Sequence, residues 1–460
     1  MMSKWRRVPV TEVCELIVDC VNKTAPSVDF VTPYKMIRTP NIKGGRVSLN
    51  DCRYVDKNVF DKWTRRASVE NDDVLLTREA PMGEVGIVNT IENVFLGQRI
   101  MQYRANKEVM NPRFLLYSFL SSDLQNQFSS HEGSGSVVSH IRVPDCLKFE
   151  INVPPLETQN WIVDVLGSID DKIELNRQTN QTLEQIAQTI FKCWFVDFEP
   201  VKAKIAAKQA GATPEQIERA AMCAINGKTL DQLELLSPDT LQQIKTTAAL
   251  FPDALVDSEL GEIPEGWRFS EIGNEVTVVG GGTPSTKNPV FWDEGNFHWT
   301  TPRDMSNLTD KILLETDRKI TAAGLAKISS GLLPENTVLM SSRAPVGYLA
   351  LAKMPVAINQ GYIAMKCEGE LTSEYVIQWA ESVMEEIKQR SSGTTFAEIS
   401  KKNFKLISVL VPEEGVMKAY TDLVADLYGK ITETLQETRT LTDLRDTLLP
   451  KLLSGELAVQ

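Results

Sequence analysis

The sequence predicts an α+β protein in which two duplicated β-rich α/β domains are separated by two long coiled-coil helices. Three observations lead to this fold class. Short motifs recur once along the chain, each copy contains strand-like runs, and each copy ends in a long helical pattern. The 460 residues also exceed the usual size of a single domain, so more than one domain is expected.

The duplication is visible as motifs that recur at a nearly constant shift. At a shift of 264, Val74–Thr77 matches Val338–Ser341, and Ala80-Pro81-x-Gly83 matches Ala344-Pro345-x-Gly347. Trp5 matches Trp267 at a shift of 262, and Val153-Pro154 matches Val411-Pro412 at a shift of 258. A long period with only two copies indicates duplicated domains and not a solenoid.

Each copy combines short strands with a long terminal helix. Runs such as Asp73–Thr77 and Asn93–Leu96 are bounded by Gly, Pro and Asn, which is typical of strands. The helical pattern of the first copy alternates spacings of four and three through Ile162, Leu166, Ile169, Ile173, Asn176, Asn180, Leu183, Ala187, Ile190 and Trp194. A shift of 258 gives Tyr420, Val424, Leu427, Ile431, Thr434, Thr438, Leu441, Arg445, Leu448 and Leu452. A sustained period of 3.5 predicts a coiled-coil seam.

The seam becomes polar at the same place in both copies, at Asn176 and Asn180 and again at Thr434 and Thr438. Polar seam residues cost stability but specify register and partner. We therefore expect the two helices to pair with each other. The alternative is two amphipathic helices, each packed on its own domain. At ~1.5 Å per residue, a paired helix of about 38 residues would be a spacer of ~57 Å between two like domains.

These patterns place the two β-rich domains at residues 1–155 and 266–411. The helices occupy residues 156–199 and 412–460, the latter with a C-terminal tail, and an acidic spacer at 200–265 leads to the second domain. The net charge of −12 is unevenly distributed, because residues 156–265 carry 9 Lys and Arg against 18 Asp and Glu. The two β-rich blocks are nearly neutral, which still permits a basic face on each.

No enzymatic or metal motif is found in the sequence. The Gly-rich stretch Gly280–Lys287 lacks the spacing of a phosphate-binding loop, and a turn or loop is expected there. The three histidines are scattered, and the seven cysteines form no C-x-x-C pair. We therefore expect no catalytic residues, no metal site and no bound cofactor. Without an apolar run of ~20 residues or a signal core, no membrane partner is expected, and the predicted location is the cytoplasm.

Three long segments resemble the conserved regions of type I restriction–modification specificity subunits. They are Leu183–Lys204 (LEQIAQTIFKCWFVDFEPVKAK), Leu250–Asp253 with Asp257–Trp267, and Leu444–Leu457 (LRDTLLPKLLSGEL). The resemblance implies a non-catalytic subunit with two target recognition domains, each reading one half of a split, asymmetric site in double-stranded DNA. It also implies that the two helices pair antiparallel, set the gap between the half-sites and dock two methyltransferase subunits.

The same resemblance assigns the chemistry to partner subunits. The methyltransferase subunits would bind S-adenosylmethionine and methylate adenine, and two restriction subunits would require ATP and magnesium. Three other interpretations share part of the pattern. They are a solitary specificity-like protein that blocks or redirects such a complex, a non-DNA scaffold with two heads on a coiled coil, and a fused methyltransferase–specificity fragment. The last is disfavoured, because neither a methyl-donor glycine loop nor an Asn-Pro-Pro-Tyr motif is found.

Candidate DNA-binding residues are chosen on physical grounds. Arg78 and Arg343 flank the repeated Ala-Pro-x-Gly turns but are displaced by one position, which favours two heads that read different half-sites. Gln98 and Gln360 recur in equivalent loops, with Arg99 beside the first. Amide and guanidinium groups can read bases, but recurrence favours support of the fold or phosphate contact.

The remaining candidates are cations expected to contact phosphate: Lys43, Arg46, Arg65, Arg66 and Arg303. For each of them, and for the arginines at the turns, the alternative is an ordinary surface charge or a structural ion pair. Ser134–His140 and Ser392–Thr395 are predicted to be loops that become ordered on DNA.

Overall fold

The computed structural model of the chain describes residues 5–131, 140–306, 308–392 and 397–457. It divides into two units, and each is described by itself. The first unit comprises residues 1–175 and 437–460, and the second comprises residues 176–436. Each unit therefore contains one β-rich domain together with part of both long helices.

Within its described residues, the first β-rich domain, called the first head, contains eleven strands and four short α-helices. The strands are β1 (Arg6–Pro9), β2 (Cys14–Asp19), β3 (Tyr34–Ile37), β4 (Ile42–Lys43), β5 (Gly45–Val47), β6 (Arg53–Tyr54), β7 (Val74–Arg78), β8 (Met82–Ile87), β9 (Asn93–Leu96), β10 (Ile100–Ala105) and β11 (Glu150–Val153). The helices are α1 (Lys57–Trp63), α2 (Pro112–Leu120), α3 (Ser122–Ser129) and α4 (Val143–Cys146). The long helix α5 (Leu156–Phe191) follows after Pro154 and Pro155, as the sequence predicts.

The strands of the first head form a six-stranded sheet, a three-stranded sheet and a terminal pair. Their orders are β2-β10-β7-β8-β5-β4, β6-β3-β9 and β1-β11. Strand β7 is buried on both faces, which explains why its first three residues are all apolar and do not alternate with polar ones. Val74 and Leu76 belong to the core that contains α2, and Leu75 to the core that contains Ile37 of the smaller sheet.

After α5 the second unit continues with a helical segment and then the second head. The segment contains α6 (Glu199–Gln209), α7 (Pro214–Asn226), α8 (Leu230–Leu233), α9 (Pro238–Ala249) and the hairpin β12 (Leu255–Ser258) and β13 (Gly261–Pro264). The strands of the second head are β14 (Arg268–Glu271), β15 (Thr277–Val279), β16 (Phe297–Thr300), β17 (Ile312–Leu313), β18 (Arg318–Ile320), β19 (Val338–Ser341), β20 (Leu349–Ala352), β21 (Val356–Ile358), β22 (Tyr362–Lys366) and β23 (Ser408–Val411).

The helices of the second head are α10 (Ile272–Glu275), α11 (Pro302–Ser306), α12 (Ala322–Leu325), α13 (Ser373–Ser382), α14 (Met384–Gln389) and α15 (Lys401–Lys405), and the long helix α16 (Glu414–Leu453) follows. The Gly-rich stretch after β15 contains no helix, as expected.

The two heads share one topology, which confirms the duplication and the α+β class. The main sheet of the second head has the order β15-β22-β19-β20-β17, and its smaller sheet has the order β18-β16-β21. Apart from β4, which has no counterpart among the described residues of the second head, these orders repeat those of the first head, including the parallel pairs β3–β9 and β16–β21. Ala80 and Ala344 precede cis prolines in both repeated turns, and both have a positive φ.

The two long helices pair with each other, as the seam pattern predicts, and they run antiparallel, as the family resemblance implies. Within the second unit, Nδ2 of Asn176 donates to the carbonyl of Thr434, whereas the ring of Phe191 lies against that of Tyr420. Residue numbers therefore increase along α5 in the direction in which they decrease along α16, so the two helices run in opposite directions. Within the first unit, Nη1 of Arg445 lies 3.1 Å from Oδ1 of Asp170. Seam residues of both helices are buried, among them Ile162, Leu166, Asn176, Asn180, Ala187, Trp194, Tyr420, Val424, Ile431, Thr434 and Leu452. These contacts exclude the alternative in which each helix packs only on its own domain.

Residues 200–265, expected as an acidic spacer, are folded. Helices α7 to α9 bury a small cluster that includes Met222, Leu233 and Ile244. The Nζ of Lys204 is buried and donates to the carbonyl of Phe251, and burial lowers the pKa of this amine. Within the described ranges, no helix is long and apolar enough to cross a membrane.

Candidate nucleic-acid interface

Loops from five parts of the first head meet at one edge of its sheets, which we call the first loop edge (residues 23–24, 39–40, 78–81, 97–99 and 140–142). The N–H of Arg78 donates to the carbonyl of Arg99, and the N–H of Ile141 donates to the carbonyl of Arg78. The hydroxyl of Thr39 donates to the carbonyl of Ala80 at 2.9 Å. The end of β7, the turn after it and the start of β10 are therefore joined at this edge.

The second head has an equivalent second loop edge (residues 280–283, 300–303, 342–347, 359–361 and 397–400). The N–H of Ser342 donates to the carbonyl of Gly361, and the N–H of Ile399 donates to the carbonyl of Ser342. A Cβ built on Gly281 would lie 1.9 Å from the carbonyl oxygen of Ile358, so only glycine fits this close approach. The Gly-rich loop is thereby held tightly against the end of β21.

The recurring glutamines occupy the same place at the two edges. The hydroxyl of Thr283 donates to Oε1 of Gln360 at 2.6 Å, and the hydroxyl of Thr24 lies 3.3 Å from the side-chain amide of Gln98. With its amide oriented to satisfy its neighbours, Gln98 accepts the backbone N–H of Lys23 and of Thr24. Gln98 joins the loop after β2 to the loop before β10, and Gln360 joins the loop after β15 to the loop before β22. These contacts favour a role of both glutamines in the fold.

The arginines of the first loop edge are engaged within the head. Nη1 of Arg78 donates to the carbonyl of Ile141 at 3.2 Å, and its Nε is buried. Nε of Arg99 lies 2.7 Å from Oε1 of Glu79 in a half-exposed ion pair. Arg78 is thus tied to the backbone of the loop before α4, whereas Arg99 and Glu79 present a charge pair at the surface.

The repeated turns carry opposite charges at one position. The shift of 264 that aligns the turns pairs Arg78 with Ser342 and Glu79 with Arg343. Nη1 of Arg343 lies 3.8 Å from Oε2 of Glu398, so this cation is loosely paired and about two-fifths exposed. The two loop edges therefore share a backbone but differ in electrostatics.

Four of the five cations predicted to contact phosphate are not part of the first loop edge. Arg46 of β5 forms an ion pair with Glu174 of α5, and Arg66 forms one with Asp19 at the end of β2. Lys43 and Arg65 are exposed, and no partner for either side chain is described. Arg303, the fifth, is also exposed and lies on the second loop edge.

An aromatic–cation cluster near the second loop edge was missed in the sequence. The guanidinium of Arg318 lies 3.6 Å from the ring centroid of Trp292 and 5.5 Å from that of Trp299. Nε1 of Trp299 donates to the carbonyl of Gly282, and Nε1 of Trp292 to that of Ser285, so the cluster supports the Gly-rich loop. The seven-residue spacing of the two tryptophans in the sequence gave no sign of this contact.

Among the described residues, no group of three or more His, Cys, Asp or Glu is arranged to hold a metal ion. The loops predicted to become ordered on DNA fall largely at residues 134–139 and 393–395, which lie outside the described residues.

Comparison with known proteins gives consistent matches over both heads. The family model described as "Type I restriction modification DNA specificity domain" matches residues 2–185 and 264–437. The chain is 30% identical over 406 residues to the type I restriction enzyme HindI specificity subunit of Haemophilus influenzae, which covers 85% of this chain and 88% of that protein. It is 33% identical over 158 residues to the MjaIX specificity subunit of Methanocaldococcus jannaschii, covering 34% of this chain and 36% of that one.

The fold is also found among solved structures. The crystal structure of a type I restriction–modification system S subunit from M. genitalium matches with a TM-score of 0.52 and 15% identity, over 98% of this chain and 96% of that one. At this identity the match concerns the fold alone. The family model covers well over half of the chain, and the chain therefore belongs to the type I restriction–modification DNA specificity family.

Proposed function

We propose that this specificity subunit reads a bipartite DNA site, with one half-site bound at each loop edge. One observation carries the proposal: the two heads repeat the same strand order, but Glu79 and Arg343 place opposite charges at one position of that shared backbone. A common scaffold with different surface chemistry is what two readers of unlike half-sites require. Contacts to base edges specify sequence, and contacts to phosphate position the protein.

We further propose that the chain is a non-catalytic subunit whose partners perform the chemistry. Two methyltransferase subunits would dock on the paired helices α5 and α16 and bind S-adenosylmethionine. Two restriction subunits, with ATP and magnesium, would complete the nuclease. The acidic composition of residues 156–265 supports this assignment, because it leaves phosphate binding to the heads and makes the middle of the chain a surface for protein partners.

Genome-wide mapping of adenine methylation tests the proposal. Cells that express the chain with its cognate methyltransferase subunit are compared with cells that lack the chain. We expect a new bipartite motif with a fixed gap. A stably assembled complex without any new motif would contradict the proposal and favour a blocking protein or a non-DNA scaffold.

Exchange of one head tests the assignment of half-sites. Residues 266–411 are replaced by the corresponding residues of a relative, and the motif is mapped again. Only one half of the motif should change, because the first loop edge is built entirely from the first head. A change in both halves would contradict the model of two independent readers.

A further inference from the structure

Each head contacts α5 through a basic residue that lies in, or directly before, the equivalent strand of its main sheet. In the first head this residue is Arg46 of β5, which pairs parallel with β8. In the second head it is Lys311, directly before β17, which pairs parallel with β20. Both residues form ion pairs with a glutamate of α5, Arg46 with Glu174 and Lys311 with Glu184.

The contact in the second unit is a largely buried network. Nζ of Lys311 lies 2.8 Å from Oε1 of Glu184 and also contacts Glu381 of α13. The side chains of Lys311 and Glu184 are only 17% and 16% exposed, so the pair is shielded from solvent and from salt. Nε2 of Gln378 donates to the same oxygen of Glu184 at 2.9 Å and to the hydroxyl of Tyr428 at 2.7 Å. The network thus joins sheet, α13, α5 and α16.

The contact in the first unit has the same design with other residues. Arg46 contacts the carboxylate of Glu174, and its Nη2 donates to the carbonyl of Asp170 at 3.2 Å. The hydroxyl of Tyr117 on α2 donates to Oδ2 of Asp170 at 2.7 Å, and Arg445 of α16 pairs with the other oxygen of this carboxylate. By alignment of α2 with α13, Tyr117 occupies the position of Gln378.

Such a network acts on orientation more than on stability. Ion pairs taken out of water contribute little net free energy, because desolvation offsets their attraction, but they permit few alternative geometries. The apolar core of the second unit already joins α13 to α16, for example through Tyr375 and Tyr420. The polar network adds a directional constraint on how the main sheet sits against α5.

We infer that Arg46 and Lys311 are positioning residues that orient each head on the helix pair and thereby restrict the gap between half-sites that the complex accepts. The inference rests on the proposed bipartite reading. Both side chains are engaged with α5 in this arrangement. A head released from its polar contact keeps its own loop edge, so the half-site sequences are retained while the gap becomes less strictly defined.

The test uses the full complex of the chain with its methyltransferase subunit and maps methylation for Lys311→Met. We expect both half-site sequences to persist, with methylation at gaps one base pair longer or shorter raised by about tenfold over the wild type. Lys366→Met is the matched control, because Lys366, at the end of β22, pairs with Glu368 in the same head. The control should keep the wild-type gap. Lys311→Arg, which preserves the charge, should restore gap selectivity at least in part.

A second variant keeps the test decisive if Lys311→Met does not assemble. Glu184→Gln keeps an acceptor for Gln378 but removes the charge that faces Lys311, and it should relax the gap in the same way. An unchanged gap in an assembled Lys311→Met or Glu184→Gln complex would overturn the inference. Failure of the proposed function is distinguishable, because then the wild-type complex itself yields no bipartite motif.

Discussion

Asn180 of α5 and Thr434 of α16 are hydrogen-bonded to each other in the interior of the second unit, with the hydroxyl of Thr434 facing Oδ1 of Asn180. Both side chains are buried. The same hydroxyl also lies 3.0 Å from the carbonyl of Lys430 one turn earlier. The polar interruption of the seam is therefore a specific contact between the two helices, and the hydroxyl has an alternative acceptor if Asn180 is removed.

Replacement of Asn180 by Leu is expected to stabilise the helix pair and weaken its register. An apolar side chain of similar size replaces a buried amide, and the Thr434 hydroxyl can turn to Lys430, so about 1 kcal/mol of stabilisation is expected. The melting temperature should rise, whereas the double variant with Asn176→Leu should accept altered gaps between half-sites. Gln181→Leu on the exposed face is the control and should not raise the melting temperature. Unchanged gap selectivity in the double variant would refute the role in register.

Gln98→Ala and Gln360→Ala are expected to lower stability without changing the DNA motif. Each substitution removes an amide that joins two loops, and loss of a hydrogen bond of this kind costs about 1 kcal/mol. Thermal melting measures the loss, and methylation mapping of each variant measures the motif. A changed base at any position of the motif would show that these glutamines read DNA.

Arg343→Gln is expected to alter only the half-site that the second head reads. An arginine that contacts a base contributes ~1–3 kcal/mol of discrimination, so one position of one half-site should become degenerate. Glu398→Gln is the matched variant, because it removes the partner of Arg343 and leaves the arginine in place. If both variants change the motif equally, the ion pair and not the arginine itself determines the specificity.

Arg303→Ala is expected to weaken DNA binding uniformly over all sequences. Arg303 is exposed on the second loop edge, and a phosphate contact of this kind contributes about 0.9 to the slope of log affinity against log salt concentration. Binding of the assembled complex at several salt concentrations measures the slope. Lys228→Ala, at an exposed position in the helical segment, should leave the slope unchanged. A motif change in Arg303→Ala would instead indicate base contact.

The sequence predicts those parts of this protein that depend on local periodicity. The seam could be identified because residues such as Leu166 and Val424 recur at helical spacing and are all driven into the same interface. The strand Val74–Arg78 was also recognisable from local sequence, because it is a short apolar run between turn residues.

Contacts between residues far apart in the chain could not be predicted in this way. Arg46 and Glu174 are 128 residues apart, and nothing in a single sequence distinguishes this arginine from an exposed one. The helices within residues 200–265 were also missed, because each is short and the acidic composition of the segment resembles that of a polar spacer. Of the predicted DNA-binding residues, the structure brings Arg78, Gln98 and Arg99 together at one edge and Arg303, Arg343 and Gln360 at the other.

Asp310→Asn is expected to stabilise the second unit at neutral pH. Burial raises the pKa of Asp310 above its ordinary value, the hydroxyl of Thr309 opposes this effect, and the charge of Glu184 adds to it. The folded chain therefore holds the proton more tightly than the unfolded chain does. Ionisation of Asp310 destabilises the fold as pH rises from its unperturbed pKa near 4 toward the raised value.

The advantage of the amide should thus be larger at pH 7 than in acid and disappear as the pH falls well below about 4, where the wild-type carboxyl is protonated in both states. Melting temperatures of the wild type and of Asp310→Asn at several pH values measure this difference. Asp293→Asn, an exposed change in the same head, should show no such advantage at pH 7. An Asp310→Asn protein that melts below the wild type at pH 7 would mean that the ionised carboxylate is needed for the fold, in spite of its half-buried position near the charge of Glu184.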